Sequence, residues 1–146
     1  MKIADVQILF YAIDATSERH ESAARWLEDA INAREEFGLA WPTIHQFLRL
    51  GTNPAFPGCM SDAEAVGWVE EWLDAGVQPV SDSDVRWDVF AELFAASARS
   101  LRNAIDDAHL AAIAISRGAT LASFDDDFRV FASHGLRWEF LGNDRS

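Results

Sequence analysis

Three stretches of this chain place aspartates where apolar neighbours predict a strand end or a buried helix. Asp5 follows Ile3 and Ala4, Asp107 lies in an apolar helical stretch, and Asp125 follows the apolar run 119–124. A buried carboxylate without a cationic partner is costly, and the chain has 12 Lys and Arg against 24 Asp and Glu. Oxygen ligands suit hard cations such as Mg²⁺ or Mn²⁺. The three aspartates therefore indicate a shared metal site.

A metal site of this composition has a definite chemistry. A bound divalent cation generates a nucleophile from water near neutral pH, and a phosphodiester is a natural electrophile for Mg²⁺. Without a cation the carboxylates repel one another, so that at least one takes up a proton. No Cys or His pattern at zinc spacing competes with this interpretation. The sequence thus favours metal-assisted hydrolysis at these aspartates.

Each aspartate also has a purely structural explanation. Asp5 could cap the helix that follows it. Asp106 and Asp107 could form a solvated pair in the first turn of a helix, where the dipole favours them, and residues 125–127 could form a capping turn before Phe128. For each aspartate considered alone, the structural explanation is favoured. The three aspartates considered together favour a shared site, because the carboxyl ends of parallel strands meet at one edge of a sheet.

Alternating strand and helix signals predict an α/β fold for a single domain over residues 1–146. We expect a central, mostly parallel sheet of about four to five short strands, with helices on both faces. The predicted strands are 2–4, 37–40, 77–80, 119–123 and 138–141. A short helix or turn is predicted over 6–13, and further helices are predicted to begin after N-caps at Ser17 and Ser61. Another helix should run from Pro42 to about Thr52, and one should begin at 81–83. The last helix, Arg102–Ser116, should be the most buried.

Composition narrows the possible settings. Hydrophobic residues make up 49% and charged residues 25% of the chain, which is typical of globular proteins. No long apolar run predicts a membrane span or a signal peptide, and the single cysteine, Cys59, fits a reducing cytoplasm. The net charge of −12 argues against unaided binding to nucleic acid. Two explanations of this charge remain open. It could simply keep the protein soluble, or it could reflect an acidic cluster that functions together with cations and a basic partner.

Four segments resemble motifs of the PIN-domain family, and of its VapC-type toxins in particular. They are the opening motif at 4–12, the second motif at 41–54, the third-acid helix at 107–114 and the closing motif at 120–128. The resemblance spans essentially the whole chain and implies a PIN-like fold. It further implies a Mg²⁺- or Mn²⁺-dependent endoribonuclease, the toxin of a type II toxin–antitoxin pair, which hydrolyses RNA with a metal-activated water. Such toxins are usually homodimers, and a VapB-like antitoxin silences them.

The resemblance also assigns roles to single residues. Asp5, Asp107 and Asp125 match the first, third and fourth acids, which act in catalysis and hold the metal. Asp127 matches an accessory acid that can join the metal site. Ser123 matches a small hydroxyl residue that steadies a ligand, a water or a phosphate.

The second motif departs from the family pattern. Its acid, normally Glu, is Gln46 here, which keeps the shape and one carbonyl ligand but loses the charge. By helical spacing Gln46 can still point at the site and belong to the catalytic set. Arg49 and Arg102 are candidates for positioning the RNA backbone.

Other functions remain open. Gln46 could mark a catalytically weakened PIN protein that acts as a binding or regulatory module. An unrelated Mg²⁺ phosphohydrolase with Asp5 as its nucleophile is disfavoured, because Gln7 stands where a second aspartate is expected and no lysine follows Lys2. A purely structural or interaction role is the broadest alternative.

Overall fold

A computed structural model describes residues 1–97 and 104–142. Strands and helices alternate along the chain, as the sequence predicts. Their bounds are β1 Lys2–Ala4, α1 Val6–Ile13, α2 His20–Asn32, β2 Phe37–Ala40, α3 Trp41–Gly51, α4 Asp62–Asp74, β3 Gln78–Val80, α5 Trp87–Ala96, α6 Ala104–Arg117, β4 Thr120–Ser123, a 3₁₀ helix Asp126–His134, and β5 Arg137–Phe140.

The strands form one five-stranded sheet in the order β3-β2-β1-β4-β5, and every neighbouring pair is parallel. Ala4 at the end of β1 pairs with Ala122 in β4. The carboxyl ends of these two central strands therefore lie side by side. This confirms the predicted parallel α/β architecture and puts Asp5 and Asp125 at the same edge.

Hydrophobic clusters cover both faces of the sheet. Ile3 and Leu121 belong to one cluster, with α6 and the 3₁₀ helix, whereas Ala4 and Ala122 belong to the other, with α1, α2, α3 and α4. Successive strand residues point to opposite faces. The two clusters therefore lie on opposite faces, which confirms the prediction of helices on both sides.

Two predicted helix starts are wrong. Ser17 does not cap α2, which begins at His20, and α5 begins at Trp87 rather than at 81–83. In both cases the serine hydroxyl closes a local turn: Ser17 Oγ accepts the Arg19 N–H at 3.1 Å, and Ser81 Oγ accepts the Ser83 N–H at 3.0 Å. Serine competes for nearby backbone donors in this way both in turns and at caps, so its sequence signal is ambiguous.

Other predicted features are confirmed. Ser61 caps α4 in a reciprocal capping box with Glu64. The helix α6 carries six buried residues, Ala108, Leu110, Ala111, Ala112, Ile113 and Ala114. Its predicted start at Arg102 lies outside the described residues. Across the described parts of the chain, no helix combines the length and apolar character that a membrane crossing needs.

Candidate active site

Asp5 stands directly after β1 and is 8% exposed. Its backbone N–H donates to Ala122 O at 3.0 Å, which extends the pairing with β4. Its two carboxylate oxygens are both engaged: Oδ1 accepts the Val6 N–H at 2.8 Å, and Oδ2 accepts a hydrogen bond from Ser123 Oγ at 2.8 Å. Asp5 therefore caps α1, as the structural explanation held, and at the same time faces β4.

The end of β4 continues this network. Ser123 Oγ accepts the Asp125 N–H at 2.9 Å, and Asp125 Oδ1 accepts the Asp127 N–H at 2.9 Å. Asp125 is the N-cap of the 3₁₀ helix. The turn 123–127 is thus held by its own side chains. Within residues 1–97 and 104–142, the second carboxylate oxygen of Asp125 has no hydrogen-bond partner and is available for a ligand.

Asp107, in the first turn of α6, completes the acidic cluster. Asp107, Asp125 and Asp127 each offer a carboxylate oxygen within 4.8 Å of the others. Asp5 lies close enough for its charge to act on Asp107. Asp106 is exposed, because neighbouring side chains on a helix diverge by about 100° and Asp107 faces the site.

Burial and mutual repulsion raise the pKa values of two acids of the cluster. Burial raises the pKa of Asp5 from 3.8 to about 6, against the opposing effect of its hydrogen bonds. Burial, followed by the charges of Asp5 and Asp125, raises the pKa of Asp107 from 3.8 to about 8. At neutral pH the metal-free cluster therefore keeps a proton on Asp107, as expected for crowded carboxylates.

The acids open onto a cleft of about 310 Å³. Its lining combines the acids Asp5, Asp107 and Asp125 with the amides Gln7 and Gln46 and with the apolar side chains of Val6, Phe10, Tyr11, Leu50 and Phe56. This volume equals about ten waters at about 30 Å³ each, enough for a hydrated cation and part of a nucleotide. Gln46 thus lies in the cleft, where helical spacing placed it.

The cleft differs from the sequence prediction in its arginines and in its aromatic walls. Arg49 is exposed and is not among the described residues that line the cleft, and Arg102 lies outside the described residues. The sequence analysis did not predict that Phe10 and Tyr11 form walls of the cleft. They follow Gln7 on α1 by three and four residues, so all three share one helix face. This helical spacing is a sequence signal from which both walls can be predicted.

The fold and the cleft together define the class of protein: a parallel α/β domain with a carboxylate cluster at the carboxyl edge of its sheet. The PIN-domain family model matches residues 2–133, and the chain belongs to this family. The chain is similar to the ribonuclease VapC37 of Mycobacterium tuberculosis, with 36% identity over 141 residues that cover 95% of this chain and 96% of the relative. It is also similar to the ribonuclease VapC33 of the same organism, with 31% identity over an alignment of 147 positions. This alignment covers 94% of this chain and 96% of the relative. These relatives place the chain among nuclease-type hydrolases.

Solved structures agree on the fold. The structure of VapBC2 from Rickettsia felis, bound to a DNA fragment from its promoter, matches with a TM-score of 0.68 at 14% identity, covering 95% of this chain and 97% of that chain. The VapBC-5 structure from Mycobacterium tuberculosis matches with a TM-score of 0.56 at 22% identity, covering 95% of both chains. At these identities the matches concern the arrangement of strands and helices.

Proposed function

We propose that this chain is a divalent-metal-dependent endoribonuclease and the toxin of a VapBC-type toxin–antitoxin pair. The observation that carries this proposal is the meeting of Asp5, Asp107 and Asp125 at one cleft, although they come from three separate parts of the chain. The similarity to VapC ribonucleases over nearly the whole chain supports RNA as the substrate.

The residues fit a Mg²⁺ or Mn²⁺ ion. Asp5, Asp107 and Asp125 would hold it, with Asp127 as an accessory ligand whose carboxylate oxygen reaches within 4.8 Å of those of Asp107 and Asp125. An all-oxygen donor set of this kind suits hard cations. When bound, the cation supplies Lewis-acid chemistry, activating a water and neutralising charge on the phosphate. Asp107 must lose its proton to act as a ligand, so metal binding is coupled to proton release.

The neighbouring side chains prepare the cleft for a phosphodiester. Ser123 holds the Asp5 carboxylate through Oδ2 and so sets its orientation. Gln46 brings a neutral amide to the cleft wall, where its N–H can donate to a phosphate oxygen. Because Gln46 carries no charge, the cleft repels a phosphate less than it would with Glu at position 46.

Gln46 also supports a second candidate function. The loss of one negative charge weakens cation binding, so the chain could bind RNA or its partner with little cleavage. In either case the partners are a VapB-like antitoxin and a second copy of the chain. An antitoxin segment rich in arginine is suited to the net charge of −12.

The test is cleavage of a mixed RNA pool by the purified, antitoxin-free protein in Mg²⁺ or Mn²⁺. Asp107→Asn should abolish cleavage, whereas Asp106→Asn, the same change at the exposed neighbouring position, should leave it intact. Asp5→Asn and EDTA should also abolish it. Cleavage by Gln46→Glu alone would favour the weakened-enzyme alternative. Silence from wild type and Gln46→Glu, with both folded by circular dichroism, would argue against a nuclease.

A further inference from the structure

Arg19 packs against two aromatic rings, and one of them, Tyr11, lines the acidic cleft. Its Cζ is 5.0 Å from the ring centroid of Phe124 and 5.7 Å from that of Tyr11. The two rings meet edge to face, with centroids 5.3 Å apart. Tyr11 lines the acidic cleft, and Phe124 directly precedes Asp125. The guanidinium therefore packs against one ring that lines the cleft and against the residue that directly precedes Asp125.

The loop between α1 and α2 fixes the backbone of Arg19. Ser17 Oγ accepts the Arg19 N–H at 3.1 Å, and Arg19 O accepts the Ala23 N–H at 2.9 Å. His20 Nδ1 lies 2.9 Å from Tyr11 O, and because a carbonyl only accepts, Nδ1 carries the hydrogen. Backbone and rings together hold the side chain ready for a ligand, which lowers the entropy lost on binding.

The charge of Arg19 is not used within the described residues. No carboxylate in residues 1–97 or 104–142 forms an ion pair with it, in contrast to Arg86 with Asp88 and Arg117 with Asp84. A guanidinium held against aromatic rings by cation–π attraction can still direct N–H groups to an anion.

We propose that Arg19 contacts a backbone phosphate of single-stranded RNA at the rim of the cleft. This inference rests on the proposed ribonuclease function and adds a substrate-positioning residue to it. Phosphate is the anion that suits this geometry, because the planar guanidinium fork matches phosphate oxygens. In a chain with a net charge of −12, one oriented cation beside the acids provides local attraction for a polyanion.

The test is RNA binding in a cleavage-deficient background. A fluorescein-labelled, randomised 12-nucleotide RNA is titrated by anisotropy with Asp107→Asn at constant Mg²⁺ and increasing KCl. Adding Arg19→Gln should weaken binding roughly tenfold and make the slope of log affinity against log salt shallower by about 0.7, the value for one phosphate contact on a single strand. The control is Arg25→Gln, the same substitution at an exposed position in α2. Adding it to Asp107→Asn should change neither the affinity nor the slope.

The outcomes separate the two proposals. If Asp107→Asn binds RNA and Arg19→Gln leaves affinity and slope unchanged, or if Arg25→Gln weakens binding equally, the assignment of Arg19 is wrong while the nuclease proposal stands. If neither Asp107→Asn nor the wild-type protein binds RNA, both are wrong. Arg19→Lys keeps the charge, so it should retain the salt slope even if the altered stacking lowers the unfolding temperature.

Discussion

The hydroxyl of Ser123 donates a hydrogen bond to Asp5 Oδ2 over 2.8 Å, although the two residues are 118 positions apart in the chain. Ser123 Oγ also accepts the Asp125 N–H at 2.9 Å, and Ser123 is completely buried. One hydroxyl therefore connects the acid at the end of β1 with the acid that follows β4. Pairing of Ala4 with Ala122 brings the two strand ends to this distance.

Replacing Ser123 by Ala should disturb both acids. The Ser123 hydrogen bond lowers the pKa of Asp5, so its loss should raise that pKa further and favour the protonated, metal-free form. We expect Mn²⁺ affinity at pH 7, measured by calorimetry, to fall about 10–100-fold. The free energy of unfolding should fall by about 1–3 kcal/mol, because a buried carboxylate loses a donor.

Ser116→Ala is the matched control, since Ser116 is exposed and donates only to Ile113 O in its own helix. It should leave Mn²⁺ affinity unchanged. An unaltered Mn²⁺ affinity in Ser123→Ala would show that the hydroxyl has a structural role only.

Changing Gln46 to Glu should tighten metal binding, because Gln46 already lies in the cleft with the three acids. We expect a roughly tenfold or greater gain in Mn²⁺ affinity, since affinity for hard cations follows the number of charged ligands. His45→Glu adds the same acid at an exposed position one residue away and should have little effect. Equal gains from both variants would mean that overall charge, rather than a ligand, is responsible.

The stability of the metal-free protein should fall as pH rises. The folded-state pKa values of Asp5 and Asp107, about 6 and about 8, lie above 3.8, so the folded state binds more protons than the unfolded state between about pH 4 and pH 8. Stability therefore decreases with increasing pH across this window. We expect the unfolding temperature in EDTA to be lower at pH 8.5 than at pH 5, and Asp107→Asn to reduce this difference by a few degrees.

Asp106→Asn should keep most of the pH dependence, because Asp106 is exposed and its charge is the smallest of the causes that raise the pKa of Asp107. Mn²⁺ should stabilise the wild-type protein more at pH 8 than at pH 5, because it binds the ionised carboxylates. A metal-free unfolding temperature that rises with pH would contradict the buried-acid interpretation.

Gly38 in β2 allows a close approach between strands. A Cβ atom at this position would lie 2.5 Å from Val80 Cγ2 and 2.9 Å from the backbone oxygen of Gln78. Because the backbone of β3 cannot move aside cheaply, Gly38→Ala should lower the free energy of unfolding by about 1–3 kcal/mol. Urea denaturation measures this loss.

Gly67 in α4 provides the comparison, because a Cβ atom there meets nothing within 4 Å. Gly67→Ala should stabilise the protein by about 0.5–1 kcal/mol through helix propensity. A neutral Gly38→Ala would mean that β2 and β3 can separate without cost.

Local sequence signals predicted the sheet and its acids. Short apolar runs ending in Asp5 or leading to Asp125 predict strands whose carboxyl ends carry acids, since strand pattern and strand end are both local properties. An acid within an apolar helical stretch added Asp107, and the family motifs added Gln46 to the same set. The cleft brings all four together, and their catalytic and metal-binding roles remain proposals for the experiments above.

Tertiary packing decided the features that depend on contacts distant in sequence. The rotation of α6 against the sheet turns Asp107 to the cleft and leaves Asp106 exposed. The contact between Tyr11 and Phe124 forms the surface on which Arg19 packs, whereas Arg49, one of two candidates from the sequence, is exposed. A sequence pattern identifies which residues share a strand or helix face, but only the packing of those faces determines which side chains from separate elements meet.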